Sequence, residues 1–198
     1  MKVVQNIHVE AVKRSMTRRV VAISGMPGSG KSIVSSVARE MGYHVYSMGD
    51  VVRNEAQRLG VAPTPVNLGR ITLELRKEKG SAIVARMLVD RLMKDSDETV
   101  VVEGVRSMDE VYEFRKHFKV IVLAVVSSPQ TRYSRLKSRS RSDDPRDFAD
   151  FEERDKRELG LGISKVVDSG DGRILNESDE GTFRHQVRDM LVEMLGVG

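Results

Sequence analysis

The sequence predicts an α/β fold of three layers, helix over sheet over helix, built on a five-stranded parallel sheet. Two observations carry that expectation. Short apolar runs alternate with helical segments along the chain, which is the pattern of a parallel sheet covered on both faces. Between the first such run and the first helix lies Gly25-Met26-Pro27-Gly28-Ser29-Gly30-Lys31-Ser32, a complete match to the phosphate-loop pattern G-x-x-x-x-G-K-[S/T]. At 198 residues the chain is long enough for one well-packed domain with small inserts.

Taken in order, Arg19 to Ser24 reads as a buried strand. After the loop, Ile33, Val34, Val37, Ala38 and Met41 recur at helical spacing, and Gly42 stands where a C-terminal cap belongs. His44 to Met48 reads as the second strand, entering a helix at Gly49-Asp50. Residues 50 to 95 read as helical, broken at Pro63 and Pro65, with Ser81 available to cap a helix carrying Ile83, Val84, Met87, Leu88 and Leu92. Thr99 to Val102 is a third buried strand, ending at Glu103-Gly104. Ser107-Met108-Asp109-Glu110 is a capping box opening a helix with Val111, Phe114 and Phe118 on one face. Val120 to Val126 is the fourth strand, followed by a basic helix from Arg132 to Ser140. The polar stretch Ser142-Asp143-Asp144-Pro145 leads into a charged helix from about Asp147 to Glu158. Arg173 to Leu175 is a weak fifth strand, and a last helix turns Phe183, Val187, Leu191, Met194 and Leu195 inward. Residues 1–18 read as a basic lead, disordered or upstream of the native start. Residues 19–198 form the domain, with a helical insert at about 50–95 and a lid at about 138–157.

The loop itself names a ligand. Its glycines let successive amides turn inward around an anion, and the helix that follows adds its positive end. Lys31 then reaches the β- and γ-phosphates of a nucleotide, and the Ser32 hydroxyl ligates Mg²⁺. The fold expected is therefore of the P-loop NTPase type.

Composition narrows the classes. The formal charge of +4 is modest and does not by itself call for nucleic acid. Arg132, Arg135, Lys137, Arg139 and Arg141 nevertheless fall within ten residues that contain no acid. Such a cluster suits phosphate, on a nucleotide or on a polynucleotide, unless it is a solvated helix face. The absence of Cys rules out disulfides and Cys-ligated zinc. The longest apolar run is too short for a bilayer, and no apolar core follows the basic N-terminal residues. The expectation is a cytoplasmic protein without a membrane partner. His8, His44, His117 and His185 show no ligand-like spacing and read as surface or packing residues.

No N-K-x-D or D-x-x-G motif of a GTPase is present, and too few residues follow the fifth strand for the second domain of a ring ATPase. Gly49-Asp50-Val51-Val52-Arg53 resembles the G-D-[L/M]-L-R segment of adenylate kinases, and Glu103-Gly104-Val105-Arg106 their D-G-[F/Y]-P-R segment. Pro129-Gln130, Arg132, Arg135-Leu136 and Arg139 resemble the basic helix leading into the lid of adenylate and dephospho-CoA kinases. Arg173-Ile174-Leu175-Asn176 is similar to the late strand of dephospho-CoA kinases. Over about residues 19 to 196 the chain resembles an archaeal P-loop family labelled adenylate-kinase-like or dephospho-CoA-kinase-like.

That resemblance implies an ATP- and Mg²⁺-dependent kinase whose acceptor is a nucleotide or nucleotide-like small molecule. Gly25, Met26, Pro27, Gly28, Ser29, Gly30, Lys31, Ser32 and Arg135 would hold the nucleotide, and Ser32 and Glu103 the metal. Lys31, Asp50 and Arg139 would be catalytic, and Arg53 and Arg106 would grip the acceptor with planar, bidentate forks. Arg132, Arg135 and Arg139, spaced by three and four, would share one face of a lid helix. Arg154 and Arg157 would form its returning arm, unless Arg157 simply pairs with Glu153 one turn back. Glu103 stands where adenylate kinases have Asp, and Val105-Arg106 lacks their intervening Pro. Asp50 suits either a base for a hydroxyl acceptor or a residue pinning the loop. The acceptor is thus a nucleoside monophosphate or, as in dephospho-CoA kinases, a hydroxyl. An RNA-associated ATPase or polynucleotide 5′-kinase, using the basic helix on a backbone, and a nucleotide-binding regulator with negligible turnover are the readings from other classes.

Overall fold

The structure, a computed structural model, describes residues 18–139 and 144–196. Five strands, β1 (Arg19–Ser24), β2 (His44–Ser47), β3 (Thr99–Glu103), β4 (Lys119–Val126) and β5 (Gly172–Leu175), form one parallel sheet in the order β2-β3-β1-β4-β5. The helices are α1 (Lys31–Glu40), α2 (Met48–Arg58), α3 (Pro65–Lys79), α4 (Ile83–Leu92), α5 (Met108–Arg115), α6 (Pro129–Arg139), α7 (Phe148–Gly160), α8 (Ile163–Asp168) and α9 (Glu180–Leu195). The expected α/β fold is the one found.

The strands are apolar throughout because both sheet faces are covered. Side chains alternate across the sheet, so Val20, Ala22, Val100, Val102 and Val122 lie in one core and Val21, Ile23, Val101, Leu123 and Ile174 in the other. The first core is closed by α2, α3, α4 and α5, with Val166 of α8; the second by α1 and α9. The segment read as an insert therefore shares the main core, through Val51, Ala56, Ile71, Leu75 and Leu88. Register places Ile23 of β1 beside Glu103 of β3 and Leu123 of β4, so the loops after these strands open at one end of the sheet.

Residues 50 to 95 form α2, α3 and α4, with the breaks near Pro63 and Ser81 where the sequence predicts them. Several local details differ from the reading of the sequence. The Thr64 hydroxyl accepts from the Asn67 amide at 3.3 Å and caps α3, whose first residue is Pro65. Ser81 does not cap α4; its hydroxyl donates to Asp109 on α5, and Ala82 occupies the cap position. Ser107 does cap α5, but the Glu110 carboxylate binds the Arg106 amide at 2.8 Å and the Arg76 guanidinium at 2.6 Å. Helix α8 was not foreseen, because it buries only Ile163 and Val166, too few residues to display a period. Arg18, assigned by the sequence to the basic lead, is buried, donating to the carbonyls of Leu92 and Asp97 at 2.8 and 2.7 Å. The rest of that lead lies outside the described residues. At this same end of the sheet, His44, Asp95 and Asp97 come together with their ligand-type atoms within 4.8 Å, a grouping their sequence spacing does not show.

Helices α6 and α7 are joined by a buried ion pair. Arg132 donates to Asp155 through both terminal nitrogens, one at 2.8 Å, and lies over the Phe151 ring at 4.9 Å. Tyr133, Phe148 and Phe151 pack around it with centroids 5.2 to 5.6 Å apart. The Arg132 side chain is 5 % exposed and Asp155 16 %, so removing one partner leaves a largely desolvated charge. Arg132→Met should lower stability by about 3 kcal/mol, and adding Asp155→Leu should recover much of it. Urea unfolding of the two single variants and the double variant measures both effects.

Candidate active site

The phosphate loop connects β1 to α1 and is shaped from behind. Gly28 (φ 80°) and Gly30 (φ 104°) adopt left-handed backbone, and both are closely covered. A Cβ on Gly28 would lie 2.7 Å from the Arg132 carbonyl oxygen, and one on Gly30 2.1 Å from Asn176 Nδ2. Only glycine permits these approaches. Asn176 Nδ2 donates to the Ser29 carbonyl at 2.9 Å, and Ser127 Oγ donates to the same oxygen at 3.2 Å. Arg135 completes the network, donating to Asn176 Oδ1 at 3.0 Å, Asn176 O at 3.1 Å and Ser127 Oγ at 3.2 Å. Arg132 also reaches the loop, at Pro27 O (3.2 Å). Gly30 is the N-cap of α1 and supplies no side-chain cap; its carbonyl accepts from the Ile33 amide at 2.9 Å, and the amides of Lys31 and Ser32 precede the first intrahelical acceptor.

In front of the loop is a cleft of about 610 Å³. Gly25, Pro27, Gly28, Gly30, Lys31 and Ser32 line its base, Glu103 and Arg106 the β3 end, and Arg135, Arg139, Arg154 and Glu158 the side formed by α6 and α7. Lys31 folds back over the loop, donating to Gly25 O at 2.5 Å and Met26 O at 3.0 Å. Arg106 Nε donates to Glu158 at 2.9 Å. Arg139 makes a two-point contact with Asp144, its Nε at 2.9 Å, and Arg154 stands 3.5 Å from the same carboxylate.

The sequence-derived residues fall into two groups. The loop, Glu103, Arg106, Arg135 and Arg139 meet in the cleft. Asp50 and Arg53 do not: they pair with each other across one turn of α2, both more than half exposed, and Arg53 borders a separate shallow depression with Asn54, Gln57 and Pro63. Of Arg132, Arg135 and Arg139, only the last two line the cleft. Arg132 is spent on Asp155, while Arg135 turns to Asn176 and Arg139 to Asp144. Of the lid span about 138–157, residues 140–143, including Arg141, lie outside the described residues.

Oxygen donors suited to Mg²⁺ are present. The Glu103 carboxylate accepts from Ser35 Oγ, and Ser32 lies one turn before Ser35 on the same helix face. A hydroxyl and a carboxylate at the cleft base form the hard, oxygen-only donor set that magnesium takes, its remaining positions being filled by water and phosphate.

Comparison with known proteins agrees with this architecture. A family model described as an AAA domain matches residues 24–152. A UPF0200 protein of Hyperthermus butylicus is 43 % identical over 181 residues, covering 91 % of this chain and 97 % of that protein. The chain belongs to the UPF0200 family. Another member, from Thermococcus sibiricus, is 40 % identical over 183 residues, covering 90 % of this chain and 96 % of its own length. Among solved structures, TT1252 from Thermus thermophilus superposes with a TM-score of 0.60 at 21 % identity, covering 89 % of this chain and 98 % of that one. Shikimate kinase from Bacteroides thetaiotaomicron gives 0.53 at 14 % identity, covering 91 % and 99 %. At such identities these structures share the fold, that of a P-loop kinase. Among the described residues no helix is long and apolar enough to cross a membrane.

Sequence reasoning missed Glu158 as a cleft residue and Asn176 as the clamp on the loop. Asn176 had a partial signal, since it ends the late-strand segment; Glu158 had none, because its role depends on α7 folding back against Arg106.

The electrostatics of the cleft give a measurable handle in this UPF0200 member. Burial lowers the Lys31 pKa from the usual 10.5 to about 8, Arg106 adding to the effect and Glu158 and Glu103 opposing it. Burial also opposes the Arg106 charge, but Glu158 and Glu110 outweigh it and hold the guanidinium more firmly protonated than usual. A polyphosphate beside Lys31 restores its charge, so above about pH 8 binding must take up a proton. Affinity for a nucleoside triphosphate should therefore be flat below about pH 8 and fall as pH rises through it. Calorimetry in buffers of different ionisation enthalpy should show the proton uptake in the wild type and its loss in Lys31→Ala.

Proposed function

We propose that this protein is an ATP- and Mg²⁺-dependent phosphotransferase that moves the γ-phosphoryl group to a nucleotide or nucleotide-like small acceptor. The observation that supports it is the cleft: an uncapped helix N-terminus at its base, and Lys31, Arg106, Arg135, Arg139 and Arg154 around it from separate parts of the chain. Phosphoryl transfer leaves little covalent chemistry to a protein; it requires alignment of donor and acceptor and neutralisation of charge spread over the transferred oxygens. The loop amides and the α1 terminus hold the donor phosphates. Lys31 exchanges its two loop carbonyls for phosphate oxygens. Arg139 and Arg154, on two different helices, turn from Asp144 to the γ-phosphate as α7 closes and excludes water. Ser32 and Glu103 would hold Mg²⁺, which would supply further neutralisation of the phosphate oxygens. Arg106, at the β3 end, faces the acceptor.

The polynucleotide reading loses its main support. The basic helix that suggested a backbone-binding face has Arg132 buried and Arg135 committed to Asn176.

The test is ADP formation from Mg-ATP across nucleoside monophosphates, dephospho-CoA and short RNA 5′ ends. Lys31→Ala should fold normally and lose about two orders of magnitude in kcat, the effect of removing one preorganised charge from a poorly solvated transition state. Turnover close to wild type in that variant would remove the phosphate loop from the chemistry.

A further inference from the structure

Four carboxylates line the cleft: Glu103, Glu158, Asp179 and Glu180. Three have other tasks. Glu103 is bound to Ser35 beside the candidate metal ligand Ser32. Asp179 caps α9, accepting from the Thr182 amide at 3.0 Å and hydroxyl at 2.7 Å. Glu180, in the first turn of α9, is two-thirds exposed and lies 3.6 Å from Arg184 on the next turn. Glu158 is different. Its side chain is 17 % exposed, and among the described residues it takes a single hydrogen bond, from Arg106 Nε to Oε2 at 2.9 Å. It is also the strongest of the anions acting on Lys31. It is thus bonded to the guanidinium at the end of β3 and lines the same cleft as the lysine of the phosphate loop. Asp50, the carboxylate that the sequence offered for proton transfer, is outside this cleft and tied to Arg53.

We propose that Glu158 is the general base of the reaction and that the acceptor is a hydroxyl group rather than a phosphate. This rests on the phosphotransferase reading above. The acceptor O–H gives its proton to the Glu158 carboxylate as its oxygen bonds to the γ-phosphorus. The bond from that phosphorus to the bridging oxygen breaks, ADP leaves with the electron pair, and the proton on Glu158 passes to solvent when the product departs. Because transfer is largely dissociative, the base needs little intrinsic strength, so a carboxylate paired with arginine is adequate. Arg106 holds the carboxylate in place by its one hydrogen bond and leaves Oε1 without a protein donor among the described residues. A phosphate acceptor brings its own anionic nucleophile, gains nothing from a base, and would be repelled by Glu158 as it approached Arg106.

The experiment measures ADP formation from Mg-ATP by the full chain with water, adenosine or dephospho-CoA as hydroxyl acceptors and AMP as a phosphate acceptor. Equilibrium binding of a fluorescent ATP analogue and thermal unfolding are measured on the same samples. Glu158→Gln, which keeps the shape and removes the charge, should lower kcat on the hydroxyl acceptor by about 10²- to 10⁴-fold. At about pH 6.5, where Lys31 is charged in the wild type, losing this anion should not weaken analogue binding or raise the KM for ATP, separating loss of a base from loss of binding. A Glu158→Gln kcat within about threefold of wild type on a hydroxyl acceptor would overturn the proposal and leave the phosphotransferase standing. So would transfer by the wild type to the phosphate of AMP and to no hydroxyl. Analogue binding without ADP formation on any acceptor would overturn the phosphotransferase reading itself, and Glu158 as base with it.

Discussion

A phosphate loop that points amides at a ligand has few left to hold its own shape, and here the Ser29 amide alone closes a turn inside it, on the Met26 carbonyl at 3.1 Å. In this protein the shape comes from the other side of the chain, through the carbonyl of Ser29. That one oxygen accepts from Asn176 Nδ2 and Ser127 Oγ, and Arg135 holds both donors in place. Ser29, Ser127 and Asn176 are buried, so the bonds among them are made in a medium where the alternative is an unsatisfied polar group. The network joins the ends of β4 and β5 and the helix α6 to the β1–α1 turn. The geometry of the anion site is thereby fixed by residues separated from it by up to 147 positions in sequence.

Parallel strand order then decides what else reaches the cleft. Because β1 lies between β3 and β4, the segments that follow these strands, with Glu103 and Arg106 on one side and Arg132, Arg135 and Arg139 on the other, flank the loop. Helix α7 returns across this opening, welded to α6 by Arg132 and Asp155 and by three aromatic rings, and carries Arg154 and Glu158 to it. The helices between β2 and β3, by contrast, are built into the main core.

The strands and the loop were legible because their signals are local: an unbroken apolar run, a fixed glycine spacing, a lysine next to a serine. Helix α8 was not, since a single turn and a half with two buried residues has no measurable period. Arg106 was legible because it follows a strand end, a position that topology places at the cleft. Asp50 and Arg53 also follow a strand end, but α2 begins at Met48, and an i, i+3 pair on its exposed side satisfies both charges. The division of labour among Arg132, Arg135 and Arg139 was illegible for a related reason. Helical spacing fixes where Cα atoms lie, whereas the partner each guanidinium takes is set by Asp155, Asn176 and Asp144, none of which is close in the helix. Glu158 shows the same limit.

The contact of Asp144 with Arg139 and Arg154 has a consequence for how a catalytic cycle would end. Its side chain is 3 % exposed, and it engages two of the four guanidinium groups that line the cleft. In the reading given above, a γ-phosphate wins those groups by outcompeting an anion already tethered beside them. A diphosphate offers no group at that place, so the carboxylate recovers its partners as soon as transfer is complete. In that proposed cycle Asp144 would be a resident competitor that tells substrate from product, an acid the protein carries itself.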